Sequence, residues 1–291
     1  MTKPGPDAHA RLRWLGLVAG AGLAAAALVV VGRQHGAVSA ALEAVSRPAW
    51  GPVVLLVGAI GANVILSGLM YSALISRYGR VGVVEMQALI ASAALLNFLP
   101  LRPGMFGRIA YHRAVNDIAV VDSVKTVGQA IGLSVISAGY LTAALVIGGL
   151  GPVPLWVLVV LPLPLLAAGG VGGLLRIWCR AGLARYLEVL VWAVRYHAAF
   201  ALIGSPIEVQ TALAFAVVGM ITMSVPFVGN GLGLREWAIG LAAPLLSGHV
   251  LELEIGLTAD LVNRAAELAV MVVVGVAGLA WVGKKKGSGR V

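Results

Sequence analysis

Apolar runs of near-membrane length recur along the whole chain. Trp14–Val31, Val53–Ile75, Val127–Gly149, Leu155–Leu175 and Ala259–Val282 each approach the ~20 residues a helix needs to cross a bilayer. What lies between them is too short to form a second core, so the pattern predicts one all-α, polytopic membrane domain spanning residues 1–291. Two further apolar stretches are interrupted. Val83–Leu99 runs into Pro100-Leu101-Arg102-Pro103-Gly104, and Phe227 to Gly233 separates Val209–Val225 from Leu234–Leu246. Pro and Gly at these places read as helix breaks.

The first run follows Arg11 and Arg13, and Val38-Ser39-Ala40 resembles a cleavage site. Its apolar part exceeds the ~7–15 residues of a signal core, so it is expected to stay as a first transmembrane helix. Composition agrees with a membrane domain. Charged residues make up 11% of the chain and mean hydropathy is +0.96, against roughly 25% charged residues in soluble domains.

The formal charge of +9 then reads as Lys and Arg retained on the cytoplasmic side, not as a nucleic-acid surface. With residues 1–13 inside, the loop of residues 32–52 outside holds only Arg33 and Arg47, and Arg77 and Arg80 lie inside again. Basic residues flank Val83–Leu99 on both sides, with Arg108, Arg113 and Lys125 after it. A hairpin that enters from the cytoplasm, breaks at Pro103-Gly104 and returns fits this; a full crossing does not. A third helix over about 127–149 leads out, a fourth returns to Arg176, Arg180 and Arg185, and a fifth over about 187–204 leads out. The second interrupted pair opens outward, and a loop with Glu252 and Glu254 leads to a last helix ending at Lys284, Lys285, Lys286 and Arg290. Of the 21 Lys and Arg residues, this arrangement leaves 15 inside, two outside and four at membrane depth. Trp14, Trp50, Trp156, Trp178 and Trp281 fall at helix ends, as an aromatic belt would. The expected architecture is about six transmembrane helices plus two broken-helix hairpins in an inverted repeat. Its bounds are 14–150 for the first repeat, 151–282 for the second and 283–291 for a basic cytoplasmic tail. Secondary transporters built this way bind substrate near the midplane, at their broken helices.

The four basic residues at depth are Arg102, Arg195, Arg235 and Arg264, with Arg108 near the inner boundary. An unpaired Arg at the bilayer centre costs at least ~2.5–3.5 kcal/mol. The acids available are Glu236, Asp260 and Glu267. Asp260, Arg264 and Glu267 share one helix face at i, i+4 and i+7, which equally suits a structural ladder. Arg102 and Arg235 instead flank breaks. Helices restarting after Gly104 and Gly233 would aim free N–H groups and a positive dipole into the membrane. A guanidinium beside such an end matches the bidentate geometry of a phosphate.

Other chemistry is sparse. His9, His35, His112, His197 and His249 lack metal-ligand spacing, and no phosphate-binding loop of the nucleotide-hydrolase type is present. No cofactor, metal or catalytic residue is expected. Arg195, Tyr196 and His197 form a polar cluster suited to a cavity wall or to interhelical hydrogen bonds. The single Cys179 forbids an internal disulfide, and Gly169–Gly173 reads as a helix-packing surface.

The segments Asn97-Phe98-Leu99-Pro100-Leu101-Arg102-Pro103-Gly104-Met105-Phe106-Gly107-Arg108 and Gly229-Asn230-Gly231-Leu232-Gly233-Leu234-Arg235-Glu236 resemble two family signatures. They are those of the lysylphosphatidylglycerol synthase transmembrane-region family, also called the flippase-like membrane domain. Its first motif runs roughly N-x-x-x-P-G-R-x-G-E-x-x-R and its second P-G-G-L-G-x-R-E. A Tyr-Arg or similar pair in its last helix is matched by Asn263-Arg264. The resemblance spans nearly the whole chain, with two departures. Met105 stands where the first motif has an acid, and Gly229-Asn230 replaces the Pro-Gly that opens the second. Some family members carry a fused aminoacyl-transferase domain, an activity not expected here.

The resemblance implies a flippase-like protein of the bacterial cytoplasmic membrane that moves an anionic or amphiphilic lipid between leaflets. Candidates are an aminoacyl-phospholipid, a polyprenyl-phosphate-linked sugar or a hopanoid-type lipid. Asn97, Arg102, Arg108, Arg235, Glu236 and Arg264 are the expected head-group residues, with Glu236 pairing an Arg in the empty state. Arg195, His197, Asp260 and Glu267 form a second tier lining a cavity or balancing charge. Movement would be downhill or coupled to an ion or proton. A homo-oligomer or an envelope-enzyme partner is compatible with this reading. Two rivals stand beside it: a non-transporting accessory subunit of an envelope lipid or glycan enzyme, and an intramembrane lipid-modifying enzyme using Glu236 with Asp260.

Overall fold

A computed structural model describes residues 50–99, 102–147, 172–223, 233–248 and 250–288, together with Pro162, Pro164, Leu165 and Gly231. The expected helices at Trp14–Val31 and over most of Leu155–Leu175 lie outside the described residues, as do Gly229 and Asn230.

Every described element is a helix: α1 Trp50–Ile75, α2 Val83–Leu96, α3 Pro103–Val115, α4 Val120–Ile147, α5 Gly173–Leu202, α6 Val209–Met223, α7 Leu234–Leu246 and α8 Leu253–Ser288. Their lengths repeat. A 26-residue helix, a short pair of 14 and 13 and a 28-residue helix are followed by 30 residues, a short pair of 15 and 13, and 36 residues. The two short pairs sit where proline and glycine interrupt the apolar pattern.

Helices α1, α4 and α8 are long and apolar enough to cross a bilayer, yet their apolar windows are only 33%, 33% and 22% buried within the protein. Val54, Ile65, Val135, Ile136, Val272 and Val273 point outward. Helices apolar on nearly every face require an apolar solvent. Trp50 begins α1, while Trp178 lies five residues into α5 and Trp281 seven residues before the end of α8.

Three boundaries differ from the expected ones. Helix α4 starts at Val120, so Asp122 and Lys125 belong to its first turns, where an acid favours the helix dipole. Helix α5 starts at Gly173 and absorbs Arg176, Arg180 and Arg185, which charge alone had put in a loop. No proline interrupts Gly173–Leu202, so the helix continues across the charge boundary, over about 45 Å at ~1.5 Å per residue. Helix α8 starts at Leu253, with Glu254 in its first turn.

Helix α1 packs along α5, while α8 packs on α2 and α7. Tyr186, Trp192, Tyr196, Phe200 and Phe215 fill the main core between α5 and α6, with Phe200 and Phe215 stacked at 4.9 Å. Close backbone approach fixes the α8–α2 crossing, because a methyl group at Gly278 would come within 2.6 Å of the Ala88 carbonyl oxygen.

Candidate functional site

The first helix break is built by three residues acting together. Helix α2 ends at Asn97, whose N–H bonds back to the Ala93 carbonyl. Pro103 starts α3 at the one place where a missing N–H costs nothing. Gly104 lies so close to α2 that a methyl group there would sit 2.1 Å from Ala93 O. The Asn97 side chain crosses the break, its Oδ1 accepting the Met105 N–H at 3.1 Å. It therefore caps the helix that follows the break, a role its position at the end of α2 does not advertise.

Arg102 precedes α3 with φ 49°, a left-handed conformation in a residue that carries a Cβ. Such backbone costs on the order of 1–3 kcal/mol and clusters at functional sites. Its Nη2 donates to the Met223 carbonyl at 2.8 Å, the last residue of α6. The first break thus touches the end of the helix that leads into the second. There, Gly231 and Gly233 take φ of 70° and 78°, which glycine alone adopts freely.

Beside the first break lies a cavity of about 290 Å³. Its polar wall carries Arg102, Arg108, Arg185, Arg195, Glu188 and Glu267, with Asn63 and Ser67. Its apolar wall includes Met105, Met220, Met223 and Met271. Arg108 stacks on the Tyr71 ring, 3.7 Å from the centroid, a neutral support that leaves a cation's charge available. Arg185 donates to Glu188 Oε2 at 2.8 Å, and Ser67 donates to Glu188 Oε1 at 2.7 Å.

Behind the polar wall the charges balance. Glu267 Oε2 accepts from Arg195 Nη2 at 2.9 Å and from Arg235 Nη1 at 3.2 Å. Arg195 Nε donates to Asn263 Oδ1, and Trp192 stacks on the same guanidinium at 3.8 Å. Asp260 accepts from Arg235 Nε at 3.0 Å and from the Tyr196 hydroxyl at 3.0 Å. Arg264 donates to Glu236 Oε1 at 2.7 Å. Three arginines face three acids here, so the network is formally neutral. Its pairs run between helices, not up one face of α8 as a ladder would.

The expected residues therefore divide. Asn97, Arg102, Arg108, Arg195 and Glu267 line the cavity. Arg235, Glu236, Asp260 and Arg264 do not; they are buried in the network behind it. Glu236 does hold an arginine, Arg264, while its Oε2 and Arg235 Nη2 have no hydrogen-bond partner among the described residues. His197 stands apart, its Nδ1 bonded to the Ile207 carbonyl at 2.9 Å across the α5–α6 turn.

Sequence reasoning missed Arg185, Glu188, Asn63 and Ser67. The signals were present: Asn63 and Ser67 are polar residues four apart inside an apolar run, and Arg185 with Glu188 is a helical i, i+3 pair. Among the described residues no group of His, Cys, Asp and Glu is arranged to hold a metal ion. Comparison with family models, curated proteins and solved structures found no match.

Proposed function

We propose that this chain is a flippase-like protein of the bacterial cytoplasmic membrane that binds a lipid by its anionic head group and moves it between leaflets. The observation that carries the reading is the cavity at the first break, where among the described residues four arginines meet two carboxylates. A phosphate entering it would meet Arg102 and Arg108 first, beside the positive end of α3. Arg195 and Arg185 form the deeper wall, each held in orientation by a carboxylate. The apolar wall accepts the part of the lipid that joins head to tail. The repeated order of long helix, short pair and long helix supports two hairpins in an inverted repeat, and the distribution of Lys and Arg is the ground for six crossings with both termini cytoplasmic. In such a design the broken helices surround the substrate.

Arg235, Glu236 and Arg264 take a different role in this reading. They hold the second hairpin against α8 and so keep the cavity's back wall in place. The enzyme reading is weaker, because both carboxylates on the cavity wall are held by arginine and neither stands ready as a base.

Reconstitution in liposomes with head-group-labelled lipids tests the proposal. Wild-type protein should move at least one anionic lipid, Arg102→Ala should abolish movement, and Arg102→Lys should restore only part of it, lacking the planar fork. Movement that survives Arg102→Ala, or no movement of any anionic lipid, would favour an accessory subunit.

A further inference from the structure

The walls of the cavity constrain the head group beyond its sign. Among the described residues they carry four guanidinium groups and two carboxylates, a formal surplus of two positive charges. Both carboxylates are already engaged, Glu188 by Arg185 and Ser67, Glu267 by Arg195 and Arg235. Arg108 is only 8% exposed, and among the described residues its guanidinium makes no hydrogen bond or ion pair, only the stack on Tyr71. A buried cation without an acid is costly, and here its N–H groups border open space.

Volume and lining add two limits. About 290 Å³ holds about ten waters at ~30 Å³ each, near the small end of ligand pockets at ~300–1,000 Å³. That accommodates a phosphate and a few carbons. Four of the chain's seven methionines also line the cavity. Their unbranched thioether side chains adapt to an apolar chain of irregular shape.

We propose that the site takes a phosphomonoester lipid, its dianionic phosphate held by Arg102 and Arg108 and the first carbons of its chain against the methionine wall. This rests on the anionic-lipid reading above and narrows it. A phosphodiester offers one negative charge, whereas a phosphomonoester offers about 1.5 to 2 near neutral pH. The second charge is what Arg108 lacks. The charged and titratable groups facing the ligand are Tyr71 from α1, Arg102 and Arg108 at α3, Arg185, Glu188 and Arg195 from α5, and Glu267 from α8. Among the described residues none of these is a histidine; His112, one turn from Arg108 on α3, feels the Arg108 charge, so the pH comparison is repeated in His112→Gln to assign the response to the ligand.

The test is calorimetric titration of the purified full chain in detergent with dihexanoyl phosphatidic acid, dihexanoyl phosphatidylglycerol and glycerol 3-phosphate. At pH 8 the monoester lipid should bind about tenfold more tightly than the diester, the effect of one further neutralised charge. At pH 5 the advantage should shrink, because the monoester regains its second proton near pH ~6. Glycerol 3-phosphate, with the same head and no chains, should bind about tenfold more weakly than phosphatidic acid if the methionine wall contributes. Arg108→Ala should erase the monoester's advantage at pH 8 and Arg108→Lys should keep part of it, separating charge from folding. Equal binding of the two lipids at pH 8, weakened alike by Arg102→Ala, would overturn the dianion inference and leave the head-group cavity standing. Binding of neither lipid would overturn both. Glycerol 3-phosphate binding as well as phosphatidic acid would make the ligand a soluble phosphate.

Discussion

Arg102 offers a test in which stability and function should separate. The residue adopts φ 49° at the N-terminus of α3, and its side chain bonds the Met223 carbonyl. Replacement by Ala removes the guanidinium but keeps a Cβ in left-handed backbone, where the steric cost is ~1–2 kcal/mol. Replacement by Gly removes both the side chain and that cost. Gly gives back ~0.5–1 kcal/mol through the greater entropy of the unfolded chain. The glycine variant should therefore be the more stable of the two by about 0.5–1 kcal/mol, added to the preference for Gly over Ala that any helix N-cap shows. At ~2–4 °C per kcal/mol for a chain of this size, its midpoint should lie about 1–4 °C above that of Arg102→Ala. Thermal unfolding in detergent, followed by tryptophan emission, measures the difference. Lipid movement in liposomes should be lost in both variants. A glycine variant that melts at or below the alanine variant would refute the claim that this backbone is strained. One that still moves lipid would refute the need for the guanidinium.

Other expectations follow from the buried pairs and the hairpin. Glu267→Gln should lower the thermal midpoint more than Glu236→Gln, because Glu267 holds two arginines and Glu236 one. Removing one side of a buried pair costs about 3–5 kcal/mol in soluble proteins and about 0.6–1.7 kcal/mol per contact in membranes, so a double-mutant cycle with Arg195→Gln should show strong coupling. A cysteine at Asp117, exposed between α3 and α4, should be labelled only from the cytoplasmic side, whereas one at Gly248 should be labelled only from outside; periplasmic labelling at 117 would remove the first hairpin. At the open end of that hairpin, burial alone would raise the Glu85 carboxyl, but hydrogen bonds from Lys285, Asn116 and Tyr111 outweigh it and hold it below its ordinary 4.5. A lowered folded-state value means that this stabilisation is present above 4.5 and lost as pH falls below it. Glu85→Gln should thus lower the midpoint at pH 6 and flatten its decline between pH 5 and 3.

The elements most legible in the sequence were those fixed by local chemistry. Helix α1 fills the expected run, and Pro103-Gly104 breaks a helix where those residues suggest. The pairing of Glu236 with an arginine also follows from the cost of a lone buried acid. Long-range geometry was not legible. Arg185 looked like a retention signal because it follows an apolar run, but in α5 it turns inward onto Glu188. Nothing local tells Arg195 that its acid lies 72 residues further on. Asp260, Arg264 and Glu267 do share a helix face, yet each finds its partner on another helix, because α5 and α7 pack against that face. Asn97 lines the cavity, and its oxygen also closes the break, a bond visible only once α2 and α3 are folded together.

The sharing of Glu267 between Arg195 and Arg235 has a consequence for biosynthesis. Those arginines lie 72 and 32 residues before their common acid. At ~5–20 residues per second, the ribosome adds Glu267 about 4–14 s after Arg195 and about 2–6 s after Arg235. During that interval each would cost at least ~2.5–3.5 kcal/mol at the bilayer centre. In a chain that crosses the membrane as proposed, α5 and α7 would therefore settle more favourably together with α8 than one by one. A chain released before Asp260 should be left with both arginines unpaired, and one released between Asp260 and Glu267 with Arg195 alone, a marker for membrane quality-control proteases.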